Sequence, residues 1–592
     1  MLISDEIKTV IYKIIQKQFQ QQLPNLSLEL YKGANFGHYS TSVSYEVAKK
    51  VGKSPIDVAD LIISSIENED IATKFEKIEN VKGFINFYLT ESYIFESLRI
   101  SVDENTLGTG NYFSGQKVMV EYTDPNPFKL FHIGHFMTNA LGESVFRLIN
   151  SQRAEAINVC YQGDVGIHVA KTIFGILRNI EEKNYSLDTF LALSNVKTIE
   201  YLGEAYVLGS KLYNVDSEKT LIQELNNLIF TISQKLAKAS GIEIINKYKT
   251  SDKFDLEIIE KIYDKGRKES LNYFEAIYIK LGTNFKDYFF ESITGEIGTQ
   301  IIKSSPIFEE SDGAIIWDGK KHGMNVEVVI NQYGIPTYGA KEIGLNQFKK
   351  TKYNPDLSII FTAKEQEFYF RDLIEIFKQL GFSQETIHLP HGELKLKTGK
   401  MSSRTGEIVT LDEIIDQIKE EVIIRFSSKK DQNFLEGISE KIAIASLKYL
   451  ILKNSIGTDI IYEPEVILDL NGNTGPYLLY TYARCKSILS NAEIFEFLGD
   501  KAVELNAIEK ELLIKASMFN DIVQKAAKEY SPATLANFIY DYAKTYNHFY
   551  NECKILTAPT NTKELRLFIT EVSSKILEKG LNLLGIEVLD NL

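Results

Sequence analysis

Length, composition and charge limit the class of protein to expect. The chain has 592 residues, of which 44% are hydrophobic, 25% charged and 11% aromatic. These values exclude a low-complexity or disordered class and leave material for several cores. The chain contains 66 Lys and Arg against 80 Asp and Glu, for a net charge of -14. A protein coated in positive charge for unspecific nucleic-acid binding is therefore excluded, although a local basic groove is not.

Two further absences bear on location and metal content. No apolar run approaches the roughly 18–20 residues that span a bilayer, and the N-terminus lacks the charged and apolar regions of a signal peptide. The three cysteines, Cys160, Cys485 and Cys553, are too far apart for a disulfide framework or a CxxC zinc site. We therefore expect a cytoplasmic protein with no membrane partner and no metal site of its own.

The first predicted elements form a small N-terminal domain. Helical spacing of Ile7, Ile11 and Ile14 predicts a helix over residues 5–22, and a turn and a second amphipathic helix follow over 35–52. VKGFINFYL (81–89) predicts a strand that closes the unit. The polar stretch DENTLGTG puts the boundary near residue 105, so an α+β domain is predicted over residues 1–105.

The next segment alternates strands and helices. KVMVEY (117–122) predicts a buried parallel strand, followed by a Pro-containing loop and a helix from about Gly134 to Asn150. Further strands are predicted over 154–163, 324–330 and 356–363. This alternation favours a Rossmann-like doubly wound parallel sheet over residues 106–385, with its ligand beyond the carboxyl ends of the strands. Residues of about 185–285 predict a helical insertion.

Beyond about residue 410 almost every segment has a helical period. The stretches 504–530, 532–553 and 562–585 predict packed helices. The buried stripe of the last helix is predicted at Leu565, Phe568, Val572, Ile576 and Leu583. We predict a connecting region over 386–460 and an all-α bundle over 461–592.

Two loops carry candidate chemistry. In the first, which we name the HxGH loop, His132 and His135 at a helix start can face one ligand, and free helix N–H groups there favour phosphate oxygens. Gly134 would let a purine or ribose approach the backbone. Alone, the pair is equally compatible with two structural histidines. The HxGH loop comprises Pro125, Asn126, Pro127, Phe128, Lys129, Leu130, Phe131, His132, Ile133, Gly134 and His135.

The second loop is LKLKTGKMSSRTGE (394–407), which we name the KMSS segment. Cations and hydroxyl donors on a loop suit a triphosphate whose negative charge shifts onto leaving pyrophosphate. A solvated basic turn is the alternative for this loop alone. Its cations are Lys395, Lys397, Lys400 and Arg404, and its hydroxyls belong to Ser402 and Ser403.

In this order, His132-Ile-Gly-His135 and Lys400-Met-Ser-Ser403 resemble the two signatures of class I aminoacyl-tRNA synthetases. The surrounding sequence resembles arginyl-tRNA synthetases over essentially the whole chain. NFGHYST (35–41) is similar to that family's tRNA-binding N-terminal domain, residues 472–488 resemble the entry to its anticodon-binding domain, and GLNLLGIEVL resembles its terminal helix. The resemblance implies formation of arginyl-adenylate from L-arginine and ATP, then transfer to the 3′ end of tRNA(Arg) with release of AMP and pyrophosphate.

The resemblance also implies site residues. The catalytic set is His132, His135 and Lys400. Mg²⁺ is expected to arrive with ATP, because no all-protein carboxylate cage is visible in the sequence. The implied ATP-binding residues are His132, Gly134, His135, Asn139, Lys400, Met401, Ser402 and Ser403.

A pocket that selects arginine needs particular side chains. A guanidinium is planar, permanently charged and rich in donors, so its site needs carboxylate and amide acceptors, usually with an aromatic face. The resemblance implies that arginine contacts Glu121, Asn126, Tyr338, Glu342 and Gln366.

Three positions depart from the family pattern. Glu342 stands where Asp is usual, which lengthens the arm by one methylene. His168 in YQGDVGIHVAK stands where many members have Gln. Ser403 replaces the second lysine of a full KMSKS loop, and Arg404 or Lys129 could supply the missing cation.

For tRNA contacts the sequence offers only candidates. Unstacked bases are commonly held by aromatic and Arg side chains, and we expect core packing for at least two of three tyrosines. The resemblance further implies a monomer. The candidates, if their helix faces solvent, are Tyr477, Tyr480, Tyr482 and Arg484.

Two other functions stay open at this point. One is another class I synthetase or a nucleotidyltransferase that shares the HxGH loop, although a nucleotidyltransferase needs neither terminal domain. The other is a catalytically silent relative that only binds tRNA or a protein partner. Retention of both histidines and Lys400 argues against silence.

Overall fold

Residues from both ends of the chain build one structural unit, and the middle of the chain builds another. The first unit comprises residues 1–112, 151–153 and 469–592, and the second comprises 113–150 and 154–468. The computed structural model describes every residue except 1, 24, 31–36, 183–185, 249–250, 397–398, 401–409, 428–430 and 494–503. Across the residues it describes, no helix combines the length and apolarity needed to cross a bilayer.

The N-terminal part of the first unit packs helices against an antiparallel sheet of order β1-β2-β4-β3. The predicted single strand over 81–89 is wrong at its start: Lys82 and Gly83 have φ of 55° and 96° and form the turn of the β3–β4 hairpin. The elements are α1 (Ile3–Phe19), β1 (Glu29–Leu30), β2 (Tyr39–Thr41), α2 (Val43–Val51), α3 (Pro55–Ile66), β3 (Phe75–Val81), β4 (Phe84–Leu89) and α4 (Glu91–Asp103).

The middle of the chain alternates strands and helices and includes the predicted helical insertion, α7 to α10. Its elements are β5 (Lys117–Glu121), α5 (Ile133–Ser151), β6 (Glu155–Gln162), α6 (Ile167–Glu182), α7 (Leu187–Ala192), α8 (Asn195–Leu212), α9 (Asp216–Ala239), α10 (Leu256–Lys280), β7 (Asp287–Phe290), α11 (Glu291–Ser304), β8 (Glu309–Ser311), β9 (Ala314–Asp318), β10 (Val326–Ile330), α12 (Tyr338–Lys352), β11 (Leu357–Ala363), α13 (Glu367–Gln379), β12 (Glu385–His391), β13 (Leu394–Leu396), β14 (Gly399–Lys400), α14 (Leu411–Phe426), α15 (Gln432–Leu452), β15 (Ile460–Tyr462) and α16 (Pro464–Ile467).

The central sheet of this unit is parallel, with order β12-β11-β5-β6-β7 among the described strands. The order reverses between β5 and β11, because the chain moves outward from β5 through β6 to β7 and then crosses to the other side. A crevice opens at the carboxyl ends of the two strands where such a reversal occurs, and ligands bind there. The predicted doubly wound α/β class is confirmed, and this rule predicts the ligand site at the carboxyl end of β5.

One predicted strand lies outside this sheet. MNVEVVI contains β10, which pairs antiparallel with β9 in a separate sheet of order β10-β9-β8. Val326 and Val328 on β10 are 37% and 44% exposed, whereas an interior parallel strand is covered on both faces. The apolar run therefore misled the prediction, because the exposure of one face is not visible in the sequence.

The C-terminal part of the first unit is helical, as predicted. The expected stripe on its last helix, from Leu565 to Leu583, is buried at all five positions. The helices are α17 (Gly475–Ser490), α18 (Ala507–Ser517), α19 (Phe519–Lys528), α20 (Pro532–Glu552) and α21 (Thr560–Leu583).

Candidate active site

The chain leaves β5 through a backbone that ordinary side chains rarely adopt. Thr123, Asp124 and Phe128 have φ of 83°, 44° and 68°. Hydrogen bonds hold this path: the Asn139 amide donates to Thr123 Oγ1 at 3.1 Å, and the Tyr161 N–H donates to Asp124 Oδ1 at 2.6 Å. Strain of this kind persists where the surroundings over-determine it, and it clusters at functional sites.

The two histidines of the HxGH loop stack at the start of α5. Their ring centroids lie 3.7 Å apart. The Gly134 N–H donates to His132 Nδ1 at 3.1 Å, and the His132 N–H donates to His135 Nδ1 at 3.2 Å. Because each Nδ1 accepts a backbone proton, the neutral imidazole carries its own proton on Nε2. The pair therefore offers two N–H donors beside the free N–H groups of a helix start.

Burial keeps both rings neutral. Desolvation, helped by the charge of Lys129, lowers the pKa of His132 to about 4. Desolvation, followed by the proximity of His132 and Lys129, holds the pKa of His135 well below its usual value. At neutral pH these residues therefore act as hydrogen-bond donors and not as cations.

Asn139 and Gly134, two predicted ATP-binding residues of this helix start, also have structural contacts. Asn139 is fully buried, and its amide donates to the Thr123 and Thr283 hydroxyls at 3.1 Å each, so it supports the loop, while its assignment to ATP stays a prediction. A Cβ at Gly134 would lie 3.0 Å from Cε1 of His132. A side chain at this position would therefore press against the His132 ring.

The rest of the HxGH loop is anchored by the insertion. Phe128 is fully buried and stacks on Tyr263 of α10 with centroids 5.9 Å apart. Lys129 Nζ lies 5.1 Å from the centre of the Tyr206 ring on α8. The remaining apolar residues of the loop are Pro125, Pro127 and Phe131, which are buried, and Leu130 and Ile133, which are half-buried.

The predicted arginine residues gather at the carboxyl end of β5. Glu121 ends this strand and pairs with Lys349 of α12 at 2.6 Å, both side chains being buried. Tyr338 begins α12, and its hydroxyl donates to Gln366 Oε1, just after β11, at 3.4 Å. Glu342 lies one turn further along α12 and is 2% exposed.

This pocket holds more carboxylates than cations. Desolvation, followed by repulsion from Glu121, raises the pKa of Glu342 to about 8. Desolvation and Glu121 likewise raise the pKa of Asp124 well above its usual value. Glu342 Oε1 is buried without a hydrogen-bond partner in the part of the chain that the structure describes. A cationic ligand would relieve both the repulsion and the unpaired oxygen.

Asn126 and His168 meet at the end of β6. A Cβ added to Gly163 would lie 2.2 Å from Asn126 Oδ1 and 3.3 Å from Cδ of Glu291, so Asn126 sits against the glycine backbone. His168 Nε2 lies 2.8 Å from the Gly163 carbonyl oxygen, and burial lowers its pKa to about 3. His168, whose role the sequence left open, therefore donates to this carbonyl and fixes the turn beside Asn126.

The KMSS segment is described only in part. Lys400 pairs with Lys395 between β14 and β13, while Lys397, Met401, Ser402, Ser403 and Arg404 lie outside the described residues. Lys395 forms ion pairs with Asp459 at 2.6 Å and Glu393 at 3.4 Å. The charge of Lys395 is therefore balanced by these two carboxylates. The sequence alone had placed Lys395 among the cations available to a triphosphate.

Two pocket residues were missed by sequence reasoning. Asp124 is the third acidic side chain of the group, and Lys349 is its buried counter-ion. Asp124 had a signal, because it lies in the same loop as Glu121 and Asn126. Lys349 had none, since a lysine in the run NQFKKTK is typical of a solvated helix face.

The tRNA candidates on α17 divide by exposure. Tyr482 is 2% exposed and donates to Asp590 at 3.0 Å, so burial removes it from any stacking surface. Tyr477 is half-buried, and its hydroxyl accepts from Asn547 at 2.9 Å. Tyr480 is 39% exposed, and Arg484 stacks on it with 5.0 Å to the ring centre. Tyr480 and Arg484 are the candidates that stay accessible.

No group of three or more His, Cys, Asp or Glu side chains that could hold a metal ion occurs within the described ranges. The site thus has two parts. Neutral hydrogen-bond donors suited to phosphate lie at the start of a helix, and an acidic pocket lies where the strand order of a Rossmann-type sheet reverses. These features define a nucleotide-dependent α/β catalytic domain of the class I aminoacyl-tRNA synthetase type.

Comparison with known proteins specifies the type. Residues 101–463 match the model of the catalytic domain of class I tRNA synthetases (R), residues 2–89 the arginyl tRNA synthetase N-terminal domain, and residues 478–592 the DALR anticodon binding domain. The first match spans more than half of the chain. The chain belongs to the class I arginyl-tRNA synthetase family, and it is a ligase of tRNA aminoacylation.

Individual relatives agree over the full length. An arginine–tRNA ligase of Fusobacterium nucleatum is 26% identical over 100% of this chain and 99% of its own, and one of Flavobacterium psychrophilum is 28% identical over 88% and 87%. The arginyl-tRNA synthetase structures of Plasmodium falciparum and Thermus thermophilus both superpose with a TM-score of 0.77, at 21% and 20% identity. They cover 100% and 99% of this chain, and 99% and 100% of their own.

Proposed function

We propose that the chain activates L-arginine with ATP and transfers it to tRNA(Arg), with the residue roles given below. One observation carries the assignment of substrate: the carboxyl groups of Glu121, Asp124 and Glu342 repel one another around the carboxyl end of β5, where the chain continues into the HxGH loop. A guanidinium supplies the missing positive charge and donors for the unpaired Glu342 oxygen. The adjacent helix start receives phosphates.

In the first step the arginine carboxylate attacks the α-phosphate of ATP. A bond forms between the carboxylate oxygen and phosphorus while the bond to the bridging oxygen of pyrophosphate breaks. His132 and His135, as neutral Nε2–H donors, and Lys400 stabilise the charge that moves onto the phosphates. In the second step a hydroxyl of the 3′-terminal adenosine attacks the activated carbonyl, and AMP leaves. Positioning supplies much of the acceleration, with no covalent enzyme intermediate.

Mg²⁺ enters this proposal only as a companion of ATP. None of the described residues forms a carboxylate cage for it, and Mg²⁺ is commonly held through substrate phosphates and water. We assign it no protein ligand. Ser403 stands where a full KMSKS loop has its second lysine, and Lys129 of the HxGH loop is available to supply that positive charge. We further propose that the protein works as a cytoplasmic monomer, as the family resemblance implies.

A single assay tests the proposal against its alternatives. Purified protein, labelled arginine, ATP and total tRNA should yield arginine esterified to tRNA, while labelled lysine or citrulline should not be incorporated. Another class I synthetase would charge a different amino acid, a nucleotidyltransferase would turn over ATP without charging tRNA, and a silent relative would bind tRNA without either reaction. Any of these three results would overturn the assignment.

A further inference from the structure

The chain that follows the KMSS segment is joined directly to the HxGH loop. Thr410 forms an antiparallel bridge with His132, and the Leu411 N–H donates to the Phe131 carbonyl oxygen at 3.3 Å. Thr410 also begins α14 with a capping box that it shares with Glu413. The start of α14, three residues after the KMSS segment, is therefore fixed next to His132.

Asp412 ties this junction to the insertion. Lys280, the last residue of α10, donates to Asp412 Oδ1 at 3.1 Å, and the Tyr273 hydroxyl donates to Oδ2 at 3.4 Å. Lys280 also lies 3.6 Å from Glu440 Oε2 on α15. Both carboxylate oxygens of Asp412 are thus engaged by one helix.

The same helix packs against the HxGH loop. The Phe131 ring lies 6.3 Å from that of Phe274 and 6.5 Å from that of Tyr278, both on α10. On its other side Phe131 lies 5.1 Å from the His135 ring. Helix α10 therefore contacts the HxGH loop through Phe131 and the start of α14 through Asp412.

We propose that Asp412 is a positioning residue for adenylate formation: held by Lys280 and Tyr273, it fixes the start of α14, to which the chain returns after the KMSS segment, against His132. The HxGH loop and the KMSS segment are then already positioned to act on the same phosphates when pyrophosphate leaves, so less entropy is lost in reaching the transition state. Asp412 touches neither ATP nor arginine in this role. The inference rests on the proposed function, because it assumes that Lys400 acts in the transition state.

The main test is Asp412→Asn in arginine-dependent ATP–pyrophosphate exchange with tRNA present. Loss of the charge-assisted bonds should lower kcat roughly tenfold while the arginine KM changes less than about twofold, because only the transition state is affected. Lys280→Met should reproduce this split, and Lys280→Arg should retain most of the activity. If Asp412→Asn does not fold, Lys280→Met carries the same test.

A matched control lies on the same helix. Asp416 is 67% exposed on α14 and pairs with Lys419 at 2.9 Å. Asp416→Asn should leave exchange unchanged, and Glu440→Gln should have a smaller effect than Asp412→Asn. Wild-type and Asp416→Asn turnover in this assay test the proposed function independently of Asp412.

The decisive readout is non-additivity with Lys400→Ala. If Asp412 acts through the KMSS segment, adding Asp412→Asn to the Lys400→Ala variant should lower kcat by less than about twofold. A full tenfold cost on that background, or an unchanged kcat in the single variant, would overturn the positioning role. A parallel loss of stability with a raised arginine KM would also overturn it and leave Asp412 as a purely structural residue.

Discussion

Glu342 is a buried carboxyl whose ionisation is coupled to its ligand. Glu121 and Asp124 crowd it, and Lys349 is the cation paired with Glu121. Because desolvation and Glu121 raise its pKa to about 8, the group is mainly protonated in the arginine-free protein at neutral pH.

Arginine affinity should therefore depend on pH. Binding a guanidinium favours the ionised carboxylate, so arginine binding releases a proton and the arginine KM should fall between pH 6.5 and 8, then level off. Glu342→Gln should remove this dependence and raise the arginine KM by about 10- to 100-fold, the cost of losing a charge-assisted contact. Exchange kinetics at several pH values measure both effects. An arginine KM in the variant that still falls with pH would contradict the assignment.

The raised pKa of Glu342 also makes the free energy of unfolding depend on pH. The folded pKa of Glu342 lies above the unfolded value of about 4.3, so the folded state binds the proton more tightly. Its contribution to the free energy of unfolding therefore decreases as pH rises from about 4 to about 8. Added arginine should offset this loss.

At the scale of elements, α11 and α12 approach each other closely enough to exclude side chains. A Cβ on Gly298 would lie 1.7 Å from the Ala340 carbonyl oxygen, and one on Gly344 would lie 1.9 Å from the Thr294 carbonyl oxygen. Helix α12 carries Tyr338 and Glu342, so this contact sets the position of the arginine pocket. The glycines act through backbone proximity, since neither has a positive φ.

Gly298→Ala should push the helices apart. We expect a loss of about 1–3 kcal/mol or more in the free energy of unfolding, as for overpacked cores, together with a raised arginine KM. Trp317, the single tryptophan, lies in the same core as Ala340, so its fluorescence in urea reports the transition directly.

Gly437→Ala is the control for this substitution. Gly437 lies on α15 with no atom within 4 Å of an added Cβ, so alanine there should be neutral or should stabilise by up to about 1 kcal/mol through helix propensity. A Gly298→Ala protein as stable as the wild type would contradict the close contact.

At the scale of the molecule, the two ends of the chain fold as one unit around a buried acid. Asp521 of α19 accepts hydrogen bonds from Ser4 of α1 and from Tyr39 of β2, the latter at 2.8 Å. Nearby, Gln524 donates to Asp5 at 3.2 Å. Desolvation, with a smaller contribution from Asp5, raises the pKa of Asp521 to about 6, although the hydrogen bonds from Ser4 and Tyr39 and the charge of Lys8 oppose the rise.

Asp521→Asn should change how the first unit responds to pH. A folded pKa above the unfolded value means that this group's contribution to stability decreases as pH rises from about 4 to about 6, and the variant should lack that decrease. Thermal unfolding followed by far-UV circular dichroism measures the difference between the two proteins. Trp317 fluorescence, which reports the second unit, should not differ between them. An identical pH dependence by circular dichroism in wild type and variant would contradict this role of Asp521.

The sequence by itself determined the elements and the motifs that depend on local order. Periodicity predicted α1, α5 and the C-terminal helices, because burying one face of a helix imposes a local repeat. Glycine and histidine spacing predicted a phosphate site at the start of α5. The alternation of strands and helices also predicted the parallel sheet.

Only the tertiary structure decided what depends on contacts between distant residues. Lys349 became the counter-ion of Glu121, Asn139 became a support for the loop and Lys395 was neutralised by Asp459. Tyr482 was buried and β10 was placed in a separate sheet. Each outcome depends on which surface another element covers, and that surface comes from residues far away in the chain. Local spacing fixes the period of a helix or strand, whereas burial and charge pairing depend on the packed molecule.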